Sequence, residues 1–205
     1  MTYEDNKQAF ISIIETRKYE STETERSVFW IQDHENQVKI QKNKYPKSLQ
    51  VDNPNRLKGI FIPMDGETGV FYKSKPIVKD ENHFKYLAFS NGRYEEKTVS
   101  ACECLLIDYK WRFFELKTEA FTQGESQAAQ EREKASLQLS RTITFFKEQA
   151  KEKGIVITSV FEAVTAFPAG FPKQSAASIN RGLRFFKKFD ARLIEVDIKL
   201  SYKMD

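Results

Sequence analysis

The chain has 205 residues, a length that suits one domain with its own hydrophobic core. Hydrophobic residues make up 40% of it and phenylalanine occupies 17 positions, which predicts a globular fold with a phenylalanine-rich core. The formal net charge of +4 permits a nucleic acid partner without requiring one. There is no apolar run of about 18 residues and no secretory signal pattern, so we expect a cytoplasmic protein with no membrane span and no membrane partner.

Cysteine and histidine content limits the available chemistry. Cys102 and Cys104 are the only cysteines, and a disulfide between positions so close together would be strained, so we expect buried, reduced thiols. His34 and His83 are the only histidines. A Cys/His zinc cluster and a Ser-His-Asp triad are therefore both disfavoured.

Short β-strands are the main prediction for the N-terminal part of the chain. The apolar segment 9–14 is ambiguous between a helix and a strand. Segments 27–32 and 37–41 alternate apolar and polar residues on either side of a polar turn, which indicates a hairpin. Segments 59–62 and 69–72 bracket a second turn.

Helices and strands alternate in the C-terminal part. Residues 126–153 are rich in Ala, Gln, Glu and Lys and predict a long helix, with Gly154 where a C-terminal capping glycine belongs. A buried strand is predicted at 155–161, followed by a second helix at 175–189. An alternating strand at 192–198 closes the pattern.

The most informative stretch is 101–117, which predicts two short apolar strands joined by a turn at 108–110. Each strand carries an acid where a core strand should be apolar, Glu103 in the first and Glu115 in the second, and the second strand ends at Lys117. A buried carboxylate is unfavourable unless it is paired or bound to a metal ion. This hairpin is therefore the place to look for a site.

The length of the turn decides whether the two acids meet. A three-residue turn pairs Ile107 with Trp111 and places Glu103 directly opposite Glu115, with Cβ atoms about 4.5–5.5 Å apart. Two carboxylates at that distance repel each other, and a divalent cation held by oxygen ligands would relieve the repulsion. A two-residue turn would instead place Glu103 opposite Leu116.

Asp108 is the rival for the role of first acid. A pattern that runs from Asp108 to Glu115 and Lys117 fits the sequence equally well. Along the hairpin, however, Asp108 lies about 16 Å from Glu115 at the usual strand rise, which is too far to share an ion. We interpret it as a turn residue.

The order of these features resembles the core of the PD-(D/E)XK nuclease superfamily. Residues 102–107, Cys-Glu-Cys-Leu-Leu-Ile, and 113–117, Phe-Phe-Glu-Leu-Lys, are similar to the signature of its small uncharacterised bacterial members. In the helix that follows, Gln138-Leu139 resembles a glutamine-leucine pair often found there. The resemblance covers about residues 95–165. It departs from the usual pattern at Glu103, where the family has an aspartate with a shorter reach.

The resemblance implies an α/β fold with a restriction-endonuclease-like core, in which helices flank a mixed central sheet. The strand, strand, helix, strand order is in keeping with the αβββαβ arrangement of that family. Within one domain spanning 1–205, residues 91–205 would form this core and residues 1–90 a β-rich N-terminal elaboration. The first ninety residues are expected to pack against the rest.

The function implied by the resemblance is metal-dependent hydrolysis of phosphodiester bonds in nucleic acid, with DNA the expected substrate. Glu103, Glu115 and the main-chain carbonyl of Leu116 would bind the cofactor, Mg²⁺ or Mn²⁺. Lys117 would orient the attacking water or stabilise developing charge, and Gln138 would place an amide near the site. Many nucleases of this type act as dimers, so a homodimer is an allowed assembly.

Other interpretations of the same residues remain open. The trio of Glu103, Glu115 and Lys117 would also fit a solvated sheet face with an ion pair worth less than about 1 kcal/mol, although Phe114 and Leu116 leave little room for an exposed strand. Gln138 would equally fit an exposed helix position. At the level of function, the alternatives are a catalytically inactive module that binds nucleic acid or protein, and a structural protein whose acidic pair is incidental.

A basic cluster near the C-terminus is the candidate surface for nucleic acid. It comprises Arg181, Arg184, Lys187, Lys188 and Arg192. A helix with these residues would lie along a phosphate backbone and give salt-dependent, sequence-independent affinity. A solvated helix face is the alternative interpretation.

Overall fold

A six-stranded mixed sheet lies at the centre of the computed structural model, and helices pack on it. The structure describes residues 1–14, 21–33, 48–64, 68–72, 75–79, 89–90, 93–94, 101–117, 120, 124–168, 171–172 and 176–205. Within these ranges no helix is long and apolar enough to cross a membrane. The predicted strand 37–41 lies outside the described residues.

Three helices are present in the described parts of the chain, α1 (Tyr3–Ile14), α2 (Glu125–Glu152) and α3 (Ala176–Phe189). The ambiguous segment 9–14 is helical, and the cause lies upstream of it. Thr2 and Asp5 form a reciprocal cap, in which the Asp5 amide donates to Thr2 Oγ1 at 3.2 Å and the Thr2 amide donates to Asp5 Oδ2 at 2.8 Å.

Thirteen strands are assigned in the described ranges. Those drawn from the N-terminal part are β1 Thr22–Thr24, β2 Val28–Asp33, β3 Ser48–Asp52, β4 Gly59–Pro63, β5 Thr68–Tyr72, β6 Lys75–Lys79, β7 Phe89–Ser90 and β8 Arg93–Tyr94. Those drawn from the C-terminal part are β9 Cys104–Ile107, β10 Trp111–Leu116, β11 Phe161–Phe167, β12 Ala191–Asp197 and β13 Tyr202–Lys203.

The central sheet has the strand order β1-β4-β9-β10-β11-β12. The pairs β1–β4, β4–β9 and β9–β10 are antiparallel. The pairs β10–β11 and β11–β12 are parallel, and α2 and α3 connect these strands. A second sheet has the order β13-β3-β2-β5-β6, and β7 pairs with β8 in a two-stranded sheet. The fold is therefore mixed α/β, as predicted.

Two hydrophobic clusters hold the layers together. On one face of the central sheet, residues such as Phe113 and Leu105 pack against Phe10 of α1 and Phe146 of α2. On the other face, Phe114 and Leu106 join a cluster contributed in part by the second sheet. The central sheet thus lies between a helical layer and a second sheet, and the N-terminal part packs against the C-terminal part as expected.

Two predictions about the strands need correction. The predicted strand 155–161 is wrong, because the strand is Phe161–Phe167 and the chain before it is irregular, with Val156 75% exposed. The strand carries buried polar residues such as Glu162, which forms an ion pair with Arg112 of β10. A search for apolar runs does not detect a strand of this kind. The division at residue 90 also differs from the structure, since α1, β1 and β4 belong to the central layers.

Candidate active site

The central hairpin has the three-residue turn, so the register predicted for it is confirmed. Trp111 pairs with Ile107, and the pairing continues to Phe114 opposite Cys104. One further step along the same register places Glu115 opposite Glu103, which immediately precedes β9. Both side chains are withdrawn from solvent, Glu115 at 0% and Glu103 at 6% exposure.

Polar residues continue at the same level across the next two strands. Glu115 pairs with Thr165 of β11, and Thr165 pairs with Glu195 of β12. Side chains two positions apart on a strand lie on the same face of the sheet. The residues two positions from these four, Leu105, Phe113, Ala163 and Leu193, pack in the cluster with the helices, so all four lie on the helical side of the sheet. We call Glu103, Glu115, Thr165 and Glu195 the polar row. It crosses the carboxyl ends of the parallel strands, where α/β sheets commonly bind ligands.

Lys117 brings a positive charge to this site and forms an ion pair with Glu115. Burial alone would lower the pKa of Lys117, but attraction to Glu115, a hydrogen bond with it, and attraction to Glu103 and Glu131 outweigh burial, so the pKa is raised above its ordinary value. The ammonium therefore remains charged and faces several carboxylates at once. A solvated sheet face does not describe this arrangement, since its carboxylates are buried.

Hydrogen bonds to α2 and β4 fix the position of Glu103. The Cys102 amide donates to Thr142 Oγ1 at 3.0 Å, and that hydroxyl donates to the Gln138 carbonyl at 3.1 Å. The Glu103 carbonyl accepts from the Met64 amide at 2.8 Å. These bonds extend the hairpin beyond its last paired residue and hold Glu103 in line with Glu115.

Gln138 lies beside the site rather than within it. Its side chain is partly buried and Nε2 approaches the Ala101 carbonyl at 3.5 Å, two residues before Glu103. It is therefore not the exposed glutamine of the alternative interpretation. Leu116 pairs with Ala166, and the next amide, that of Lys117, donates to the Ala166 carbonyl at 2.8 Å, which fixes the backbone at the end of β10.

Asp108 belongs to a different buried cluster, on the opposite face of the sheet. Its Oδ1 accepts from the Lys110 amide at 2.7 Å, as a turn residue does, and it also forms an ion pair with Arg112. Arg112 Nε donates to Glu162 Oε2 at 3.1 Å and to the Tyr202 hydroxyl at 2.9 Å. Asp108 is thus a turn residue with a structural partner, and the hairpin tip is not part of the site.

Sequence reasoning missed the residues that α2 and β12 bring to the polar row. Arg132 of α2 makes a two-pronged ion pair with Glu195, at 2.8 Å from Nε and 2.7 Å from Nη2, and its guanidinium lies 4.8 Å from the centre of the Phe171 ring. The negative charge of Glu131, also on α2, helps to raise the pKa of Lys117. Glu195 did carry a signal, because it is an acid at an inward position of an alternating strand.

The basic cluster is only partly brought together. Arg184, Lys187 and Lys188 are exposed on α3, and Arg181 is partly buried. Arg192 pairs with Glu162 and alternates with inward-facing Leu193, so it lies on the other face of the sheet from α3. The predicted surface is therefore limited to the helix.

The donors at the hairpin suit a hard divalent cation. Mg²⁺ commonly takes one or two protein carboxylates and keeps several water ligands, and Glu103 and Glu115 provide two carboxylates on adjacent strands. Within the described ranges, no group of three or more His, Cys, Asp or Glu side chains has a metal-binding arrangement. Both cysteines are buried, reduced thiols, as predicted.

Comparison with models of protein families, with curated proteins and with solved structures finds no match for this chain. Function must therefore be argued from the geometry of the hairpin and its surroundings.

Proposed function

We propose that the protein is a metal-dependent nuclease that hydrolyses phosphodiester bonds in nucleic acid, with DNA the expected substrate. The observation that carries the proposal is the pair of buried carboxylates, Glu103 and Glu115, aligned at the ends of adjacent strands and facing Lys117. Two buried carboxylates held side by side repel each other, and relief of that repulsion requires a positive charge close to both of them. A divalent ion satisfies that requirement.

The order of elements supports the same proposal. Leaving out the second sheet, the β7–β8 pair and the three-residue edge strand β1, the chain runs α1, β4, β9, β10, α2, β11, in keeping with the αβββαβ order of the restriction-endonuclease-like core. The two acids and the lysine lie on the second and third strands of this series. The two parallel strands that follow add Thr165 and Glu195 to the same edge.

The residues divide the work as follows. Glu103, Glu115 and the main-chain carbonyl of Leu116 would hold Mg²⁺ or Mn²⁺, which when bound polarises the scissile phosphate and lowers the pKa of a coordinated water. Lys117 keeps its proton beside Glu115 and either orients the attacking water or stabilises charge on the phosphate oxygens. Gln138 supports the backbone next to Glu103.

Calorimetric titration of Mn²⁺ tests the proposal without a guess at the substrate. We expect one ion to bind the wild-type protein, and binding to be lost in Glu103→Gln and in Glu115→Gln but kept in Glu148→Gln, a matched change at an exposed position of α2. Near-ultraviolet circular dichroism checks that each variant is folded. Unchanged Mn²⁺ binding in both site variants would reject the site.

Cleavage assays on single-stranded and duplex DNA and RNA then separate catalysis from binding. Lys117→Met is expected to keep Mn²⁺ binding, because it removes a competing cation, and to lose cleavage. Binding of nucleic acid by the wild-type protein with Mg²⁺ present but no cleavage would instead assign the chain as a non-catalytic binding module.

A further inference from the structure

A cavity of about 300 Å³ lies between α2 and α3, beside the proposed catalytic residues. Its floor includes Thr165 and Glu195 of the polar row, its α2 side includes Ser136, and its α3 side includes Ile179 and Leu183. Thr165 is the direct partner of Glu115, so the cavity begins one strand, about 4.8 Å, from the carboxylate proposed to bind the metal ion.

We propose that this cavity binds one unstacked nucleobase of the strand that is cut, so that the substrate is single-stranded or locally unpaired nucleic acid. This inference rests on the proposed function for its location, but it is argued from separate residues. The volume lies at the lower end of the range for small-ligand pockets. A ligand of that size next to a cleaved phosphate is a part of the same nucleic acid strand.

The lining of the cavity suits a flat ring with polar edges. Ile179, Leu183 and Leu193 provide apolar contact for the faces of a base, as apolar side chains do in pockets that hold extruded bases. Ile179 and Leu183 are 63% and 56% exposed, so a base between the helices would cover apolar surface that is now open to water.

The polar groups on the floor are fixed in place before a ligand arrives. Both oxygens of Glu195 accept from Arg132, whose side chain is itself largely buried. An ionised carboxylate has about four lone-pair sites, so it still has room to accept from a base. Carboxylates accept from exocyclic amino groups such as cytosine N4. A base in a duplex would have to be unstacked and unpaired before it could enter a pocket, at a cost of a few kcal/mol.

Charge on α3 favours a polyanion over other occupants. The helix carries Arg181, Arg184, Lys187 and Lys188 and no acidic residue. Lys and Arg side chains that follow a backbone provide the salt-dependent part of affinity for single strands, while bases in pockets or on rings provide the rest. A second copy of this chain would bring a like-charged helix to the same surface.

The test compares two substitutions at Gly182, which lines the cavity from α3 and whose added Cβ would meet nothing within 4 Å. Gly182→Phe places a ring in the cavity and Gly182→Ala leaves it open. Binding of a fluorescein-labelled oligo-dC and of its duplex with oligo-dG is measured by anisotropy without divalent ions, so no cleavage is involved. Leu137→Phe, at an exposed position of α2 outside the cavity, is the control for added bulk.

We expect the wild-type protein to bind the single strand more tightly than the duplex. Gly182→Phe should weaken single-strand binding about 5- to 150-fold, the range given by one base stacking contact, while Gly182→Ala and Leu137→Phe stay within about twofold. Single-strand binding that survives Gly182→Phe unchanged, or an equal preference for duplex, would overturn the proposal and leave the cavity to another ligand.

The outcome is separable from that of the proposed function. If the wild-type protein does not bind Mn²⁺, the proposed nuclease function is rejected. A base-binding cavity, shown by weaker single-strand binding in Gly182→Phe, would still stand. If Gly182→Phe cleaves nucleic acid as well as the wild-type protein does, the nuclease proposal stands and the proposal that the cavity binds a base is rejected.

Discussion

Glu115 and Lys117 show how burial and charge act together in this site. Lys117 lies at the end of β10, where its side chain is 20% exposed, while its partner carboxylate is fully buried. Burial opposes the ammonium, but the surrounding carboxylates more than offset it and raise the pKa of Lys117. The same carboxylates that raise the pKa of Lys117 would attract a divalent ion.

Removal of this ammonium should have a pH-dependent effect on stability. Lys117→Met leaves Glu115 buried without its ion pair, so the free energy of unfolding should fall by roughly 3 kcal/mol at neutral pH. Because the folded-state pKa is raised above the ordinary value of 10.5, the ion pair stabilises fully below that pH and its contribution is lost as pH rises through the folded-state value.

Urea unfolding of both proteins from neutral to alkaline pH measures this difference. Lys58 and Lys110, whose pKa values are also raised, are present in both proteins and cancel in the comparison. The gap between the two stability curves should be constant at neutral pH and narrow above pH 10.5. A gap that stays constant at high pH would mean that the contribution of Lys117 to stability does not depend on the charge of its ammonium.

The cluster around Arg112 is the structural counterpart of the site. Arg112 is fully buried and bonds to Asp108, Glu162 and Tyr202. Arg112→Met would leave Asp108 in the core without its ion-pair partner, while Glu162 keeps Lys110 and Tyr202, and should reduce the free energy of unfolding by about 3–5 kcal/mol. Tyr202→Phe removes a hydroxyl that donates to Glu162 at 2.7 Å and should lower it by about 1.5–3 kcal/mol.

Mn²⁺ titration of Tyr202→Phe tests whether the two faces of the central sheet act independently. Since the cluster lies on the opposite face of the sheet from Glu103 and Glu115, Tyr202→Phe should leave Mn²⁺ binding as in the wild-type protein. Loss of ion binding in Tyr202→Phe would mean that the two faces of the sheet are coupled.

At the level of elements, what could be predicted from sequence depended on whether the partners were close along the chain. The hairpin register followed from a local turn, and α2 followed from its composition and from the glycine at its end. β11 was misplaced because its buried polar residues are compensated from distant positions: Glu162 by Arg112, 50 positions away, and Thr165 by the Ile194 carbonyl, 29 positions away. Only Glu103 and Glu115 of the polar row could be predicted from the sequence. Thr165 and Glu195 join the row through parallel strand pairing, which no local sequence pattern encodes.

Two glycines, one just past the end of α2 and one inside α3, should respond to alanine substitution with stability changes of opposite sign. Gly154 ends α2 with φ of 66°, and the Ile155 amide donates to the Ala150 carbonyl at 2.8 Å to complete the cap. An alanine there should destabilise by about 1–2 kcal/mol, because the left-handed conformation disfavours a Cβ. Gly182 lies inside α3, so Gly182→Ala should stabilise by about 1 kcal/mol.

In both positions an added Cβ meets nothing within 4 Å, so the difference reports backbone conformation and not packing. Thermal unfolding followed by circular dichroism measures both variants against the wild-type protein. Equal effects of the two substitutions would contradict the assignment of Gly154 as the helix cap.

At the level of the whole molecule, the two large sheets share a hydrophobic core. Phe29 and Leu49 of the second sheet belong to the same cluster as Phe61, Leu106 and Phe114 of the central sheet. The C-terminal strand β13 adds Tyr202 to this cluster and pairs with β3. Neither sheet can expose this surface without loss of apolar contact for the other, so we expect them to unfold together.

The two tryptophans allow that expectation to be tested in one protein. Trp30 lies on β2 of the second sheet and Trp111 on β10 of the central sheet, so 5-fluorotryptophan gives one ¹⁹F signal for each sheet. Leu49→Ala removes a fully buried side chain from the second sheet and should destabilise by about 2–5 kcal/mol. Both signals should shift to the same lower urea midpoint. If the Trp30 signal alone moved, the second sheet would be an independent unit, and changes in it would leave the polar row intact.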